Sequence, residues 1–313
     1  MNPVMRTEGL NKRFGKTVAV DGISLSVPEG SIYALVGANG AGKTTLIKLM
    51  MNILRPDAGS AQVLGIASRD LAGAAFNRIG YVSENQELPE GMTVGGMLDY
   101  FRPFYPGWDR ALEQQLVRQF DLPLSRKLKH LSRGMKMKAT FAASLAYRPA
   151  LIILDEPFSG LDPLVRDELI EGLIERAPET TIFLSSHDLA EIESFSSHVG
   201  YLEQGRLLFS EEMTTLSNRF RDVTVTLSAP AGLPSQFPAT WIEAQTADCV
   251  MHFVDSDFKE GISERALADR FPSARDLAFA PMTLRQIFLA IAKAGRGAQA
   301  QRARERVSEE NQA

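Results

Sequence analysis

The sequence predicts an α/β fold in which a short buried strand feeds a glycine-rich loop and a helix, with a smaller α+β unit following it. Three stretches carry that expectation. Residues 32–54 read IYALV, then GANGAGKTT, then LIKLMMNIL: an apolar run suited to a buried parallel strand, a turn, and an apolar-dense helix to pack against a sheet. Residues 151–163 read LIILDEPFSGLDP, again four apolar residues in a row, here closing on two carboxylates. Beyond about residue 215 the stretches DVTVTL at 222–227, CVMHFV at 249–254 and DLAFA at 276–280 read as strands.

Composition bounds the rest. With 313 residues, 44% hydrophobic and 23% charged, the chain is ordinary globular material with room for two domains. Thirty-four Lys+Arg against 38 Asp+Glu leave a formal net charge of -4, which supplies no broad attraction for nucleic acid. The single cysteine, Cys249, excludes an internal disulfide and a multi-cysteine metal site, and fits a reducing cytosol. The opening MNPVMRTEGLNKRFG lacks the apolar core of a signal peptide, so none is expected. The longest uncharged apolar stretch, ATFAASLAY at 139–147, is half of the roughly 18 residues that a membrane span needs.

The strand–loop–helix at 32–54 fits the phosphate-binding pattern G-x-x-x-x-G-K-[ST] in the context that pattern requires. Gly37, Gly40 and Gly42 allow a tight turn whose N–H groups approach phosphate oxygens, with Ala38, Asn39, Ala41 and Thr45 completing the loop. Lys43 offers a point charge to the β- and γ-phosphates, and Thr44 a hydroxyl to Mg²⁺. Asp155 closes the second strand, where ligands of parallel sheets bind, and is placed to hold the Mg²⁺ shell. Glu156 beside it is placed to orient and polarise an attacking water, the main task in a hydrolysis that is mostly positioning and electrostatics. A third strand-like run, TTIFLSSH at 180–187, ends in His187, which suits a γ-phosphate contact.

Residues 131–138 read LSRGMKMK. A serine stands where a helix begins, a glycine follows, and lysines crowd the end of a helix that is already partly positive. Either this is a capped surface helix with solvated lysines, or its tip meets an anion.

Together these motifs resemble the nucleotide-binding subunit of an ATP-binding-cassette (ABC) transporter, over roughly residues 4–215. The resemblance implies a P-loop NTPase cassette with a mixed sheet core, a helical subdomain at about 88–150, and two cassettes facing head to tail around two ATP molecules with Mg²⁺. LSRGM at 131–135 then occupies the place of the signature LSGGQ, and Ser132 and the Gly134 amide would meet the γ-phosphate held by the opposite cassette. Phe14 matches the aromatic that stacks on adenine, Asp162 in SGLD the residue carried across the dimer interface, and His187 the switch histidine. An integral-membrane permease encoded separately, a second cassette of the same or another kind, no nucleic-acid partner, and a place at the cytoplasmic face of the membrane follow from the resemblance.

Two departures stand out. Arg133 and Met135 replace the second Gly and the Gln of the usual signature. In GYVSENQ, Glu84 occupies the position of the usual Gln that reaches Mg²⁺ and the attacking water, with Gln86 two residues displaced. A glutamate can ligate Mg²⁺ but adds negative charge near the phosphates. These changes, with FYPGWD at 104–109, resemble cassettes paired with exporter-type permeases.

In the helical subdomain Leu112, Leu116, Val117 and Phe120 recur at near-helical spacing, and Phe101, Phe104, Tyr105 and Trp108 suit either permease docking or local core. Residues 84–93 are the expected coupling region. The second domain, 216–295, adds helices at 263–271 and 283–295 and a proline-rich loop, SAPAGLPSQFPA, at 228–239; a polar tail follows from 296. The transporter ATPase reading stands beside two others, a soluble ABC-type ATPase acting on nucleic acid or the ribosome and an ATP-gated binding module without turnover. The acidic balance and single cassette disfavour the first of these, and Glu156 with His187 disfavours the second.

Overall fold

A computed structural model describes residues 3–84, 86–230 and 237–294. The expected polar tail lies outside them, as do 231–236 of the proline-rich loop. The chain divides into two compact units between Glu211 and Glu212.

The first unit opens with two long strands, β1 (Pro3–Phe14) and β2 (Thr17–Pro28), which pair antiparallel. Next come β3 (Ile32–Val36), buried along its whole length, and α1 (Lys43–Met50). Two short strands, β4 (Ala58–Val63) and β5 (Ile66–Ala67), complete a four-stranded sheet of order β2-β1-β4-β5. Then follow β6 (Ile79–Ser83) and three helices: α2 (Val94–Phe101), α3 (Arg110–Gln119) and α4 (Arg133–Leu145). After them run β7 (Leu151–Asp155), α5 (Pro163–Ile174), β8 (Thr181–Ser186), β9 (His198–Glu203) and β10 (Arg206–Glu212).

The second sheet has the order β10-β9-β3-β8-β7-β6, and the pairs β9–β3, β3–β8, β8–β7 and β7–β6 are parallel. Because β3, β7 and β8 are neighbours pointing the same way, the loops after them open on one edge. The two residues Gln204 and Gly205, both at positive φ, join β9 to β10 in a hairpin turn, a connection open only to antiparallel strands. The sheet is therefore mixed.

Its core forms around α1. Leu46, Ile47, Leu49 and Met50 are buried together with Tyr33 and Leu35 of β3, Met5 and Leu10 of β1, and Ile23 and Val27 of β2. Each such side chain contributes about 1.5–3 kcal/mol relative to exposure, so α1 is anchored by its apolar face despite having only eight residues.

The three helices carry recognisable starts: Thr93, Asp109 and Ser132 each accept backbone N–H bonds as N-caps. Leu112, Leu116 and Phe120 are buried, as their spacing predicts. Among the aromatics, Tyr105 stacks on Tyr147 at 3.9 Å and Trp108 Nε1–H donates to Glu113, so both belong to the local core. Phe104 and Tyr100 are more than half exposed and lean on each other, with ring centroids 5.4 Å apart.

The second unit comprises α6 (Met213–Arg219), β11 (Arg221–Leu227), β12 (Trp241–Ala247), β13 (Val250–Asp255), α7 (Ser263–Arg270), β14 (Ala274–Pro281) and a helix, α8, over 284–294. Its sheet runs β12-β13-β11-β14 with antiparallel pairs throughout. Val223, Val225, Met251, Phe253 and Leu267 make its core, onto which Trp241 stacks.

Candidate functional site

The carboxyl edge of β3, β8 and β7 gathers five of the expected side chains. Lys43 opens α1 and is buried; its Nζ donates to the Gly37 carbonyl at 2.5 Å and the Ala38 carbonyl at 3.2 Å. It also lies 3.0 Å from Glu156 Oε1. The other Glu156 oxygen, Oε2, is 2.8 Å from His187 Nδ1. One carboxylate thus bridges the lysine of the loop and the histidine after β8. Glu156 sits at φ +54°, a backbone region uncommon for a residue with a Cβ.

Asp155 is buried one residue earlier. Its Oδ1 accepts from Thr44 Oγ1 at 3.0 Å and from Ser185 Oγ at 2.8 Å. Ser185 Oγ in turn accepts the Glu156 backbone N–H at 3.0 Å, so one hydroxyl fixes both acidic residues. Burial pushes the Asp155 carboxyl above its usual range, and the two hydroxyl donors act against that rise. The hydrogen bond to Glu156 holds the His187 imidazole above its ordinary value, favouring the protonated ring.

The glycine loop is shaped by packing as much as by its open side. A Cβ on Gly37 would stand 2.3 Å from the Leu202 carbonyl oxygen of β9. One on Gly42, which adopts φ +109° as the N-cap of α1, would stand 2.3 Å from the Ala19 carbonyl oxygen of β2. Ala38, Asn39 and Gly40 are exposed at the tip, Ala41 is buried, Thr44 is exposed and Thr45 half-buried. The unpaired N–H groups of the first turn of α1 are available to an anion there.

Thr44 and Asp155 border a cleft of about 290 Å³ with Lys48, Glu84, Gln86 and Glu156. A hydroxyl and a carboxylate already within hydrogen-bond distance of each other are the hard-oxygen partial shell that suits Mg²⁺, which takes its remaining ligands from phosphates and water. Among the described residues no group of three or more His, Cys, Asp or Glu stands ready to cage a metal by itself.

The remaining expected residues lie at the tips of other elements. Phe14 ends β1 half exposed, with Lys12 Nζ 5.6 Å from its ring centre. Asp162 caps α5 by accepting the Leu164 N–H at 2.9 Å and is exposed. Ser132 caps α4, with Oγ accepting the Met135 N–H at 3.2 Å. Gly134 is buried against α5, where an added Cβ would come within 2.9 Å of Val165 Cγ1. One of the two lysines differs from its sequence reading. Lys138 lies in the second turn of α4, buried and ion-paired with Glu168, so it adds no free charge at the helix tip.

The Glu84 carboxylate, expected to reach toward metal and water, is held instead by the Arg133 guanidinium and by Ser159 Oγ, the latter at 3.1 Å. Sequence reasoning missed Ser185, whose place in the SSH that ends the third strand was its only signal, and it missed the Arg133–Glu84 partnership altogether.

A strand–loop–helix with a buried lysine, a Thr–Asp pair and a bridging glutamate defines a P-loop nucleotide-binding cassette. Comparison with known proteins agrees. The family described as ABC transporter matches residues 20–159. The bacitracin transport ATP-binding protein BcrA of Enterococcus faecalis is 32% identical over 228 residues, covering 72% of this chain and 74% of that one. The daunorubicin resistance ATP-binding protein DrrA3 of Streptomyces coeruleorubidus is 31% identical over 297 residues, 90% of this chain and 93% of its own. A solved ATP-binding subunit of an ABC transporter superposes with a TM-score of 0.62 at 30% identity, covering 67% of this chain and 90% of that one. The chain belongs to the ABC transporter ATP-binding protein family.

Proposed function

We propose that this chain hydrolyses ATP to drive a separate membrane permease, as one of two cassettes that close head to tail around two ATP molecules. The observation that carries the reading is the placement of Glu156, bridging Lys43 at 3.0 Å and His187 at 2.8 Å beside the Thr44–Asp155 pair. On this reading Lys43 and the loop N–H groups bind the β- and γ-phosphates. Glu156 accepts a proton from the water it orients, and protonated His187 holds that carboxylate in place and offers its N–H to the γ-phosphate. Thr44 and Asp155 would hold Mg²⁺, which when bound neutralises phosphate charge. Phe14 stacks on the base, and Ser132, Gly134 and Asp162 complete the site of the opposite cassette.

Among the described residues no helix is long and apolar enough to cross a membrane. On this reading the permease is a separate partner, and the cassette works at its cytoplasmic face. An apolar cleft of about 330 Å³, lined by Met97, Phe101, Tyr105 and Tyr147 and bordered by Gln86 and Leu88 of the expected coupling region, suits a permease segment. Residues 216–295 act as an accessory domain. The names of BcrA and DrrA3, one a bacitracin transport and the other a daunorubicin resistance protein, favour export of a drug-like compound. Phosphate release from MgATP tests the proposal. The wild type turns over, and Glu156→Gln keeps ATP binding while losing about 10²–10⁴-fold in rate, the usual span for removal of a general base. Near wild-type turnover in Glu156→Gln would remove that residue from the role.

A further inference from the structure

Glu84 and Arg133, two residues at which the motifs depart from their usual form, are each other's partners. Three segments meet at this point: the loop after β6, the N-terminal turn of α4, and the loop between β7 and α5. Ser159 of that last loop donates to the same Glu84 oxygen that Arg133 binds, and the Glu84 N–H donates to the Asp155 carbonyl at 3.0 Å. The guanidinium lies directly on the 159–160 backbone, because a Cβ on Gly160 would stand 2.9 Å from Arg133 Nη1.

The charges around the cleft give this contact a purpose. Glu84, Asp155 and Glu156 all border it, and among the described residues along its wall Lys48 is the one cation. A polyphosphate entering there meets three carboxylates: Glu156 is paired with Lys43 and His187, Asp155 accepts from Thr44 and Ser185, and Glu84 is held by Arg133 and Ser159. We propose that Arg133 is a positioning residue for Glu84: it holds the carboxylate on Ser159 and cancels its charge, so that a nucleotide polyphosphate can bind beside a glutamate at this position. A half-exposed ion pair adds little to stability, so the effect belongs to binding rather than to folding. The inference rests on the nucleotide-binding reading of this cleft and goes beyond it by assigning Arg133 a task within its own chain.

The test is equilibrium binding of MgATP to the full chain and to four variants: Arg133→Gln, Arg133→Lys, Glu84→Gln and the double variant Glu84→Gln/Arg133→Gln. Arg133→Gln is expected to weaken binding on the order of tenfold, the effect of one uncompensated charge a short distance from the phosphates. Arg133→Lys retains most of the affinity, Glu84→Gln binds at least as well as wild type, and the double variant returns to within about twofold of Glu84→Gln. A merely structural Arg133 would not be rescued by removing the charge of its partner. Equal losses in Arg133→Gln and in the double variant relative to its Glu84→Gln parent would overturn the proposal, and so would unchanged affinity in Arg133→Gln. Phosphate release by wild type is scored separately. Binding without release would refute hydrolysis yet leave the affinity cycle readable, whereas release with an additive cycle would refute only the role of Arg133.

Discussion

Glu156 has two partners of different kinds, and they respond differently to solution conditions. The lysine on one side is buried, whereas the histidine on the other is 40% exposed at its side chain and titratable near neutrality. Because the folded pKa of His187 is raised by Glu156, the stabilisation from their bond is fully present below about pH 6.5 and is lost as pH rises through the folded value. Thermal unfolding of wild type and His187→Ala should therefore differ most near pH 6 and converge toward about pH 9. A gap that widened with rising pH would contradict the assignment of a protonated ring. At the other partner, Lys43→Ala should reduce MgATP affinity by about 10²-fold or more, since it removes the buried cation that the proposed function assigns to the phosphates. Calorimetric titration measures this directly.

At the scale of elements, the contact between α4 and α5 is set by one missing methyl group. Gly134 meets Val165 so closely that Gly134→Ala should destabilise the protein by about 1–3 kcal/mol in denaturant unfolding, and Val165→Ala in the same chain should recover part of the loss. The elements that bear the chemistry were legible because each is a run of buried apolar residues ending in a polar cluster: IYALV before the loop, LIIL before Asp155 and Glu156, and TIFL before the serines and His187. The antiparallel sheet was not legible. Its first strand has exposed charged positions and its pairing with β2 shifts register at several points, which breaks the alternation that marks a strand. In β12 the same thing happens around Glu243, at φ +56°, between the paired residues Ile242 and Gln245. Nor can any periodicity reveal that Arg133 and Glu84, 49 residues apart, would meet.

Over the whole molecule, the residues with expected roles fall into two groups. Lys43, Thr44, Asp155, Glu156 and His187 converge on one sheet edge, whereas Ser132 and Asp162 cap helices and stay exposed. That separation is the arrangement a composite site requires, with one cassette supplying the cleft and another supplying the helix tip. The second unit adds a compact antiparallel sheet with its own core, and the similarity to DrrA3 extends across it. The most direct test of the composite site is the solution mass of Glu156→Gln with and without MgATP, together with the nucleotide it retains. Two copies of this chain closing on ATP predict a doubling of mass on addition of MgATP and two unhydrolysed ATP molecules per dimer. A protein that binds ATP and stays monomeric, or a dimer from which ADP is recovered, would contradict it.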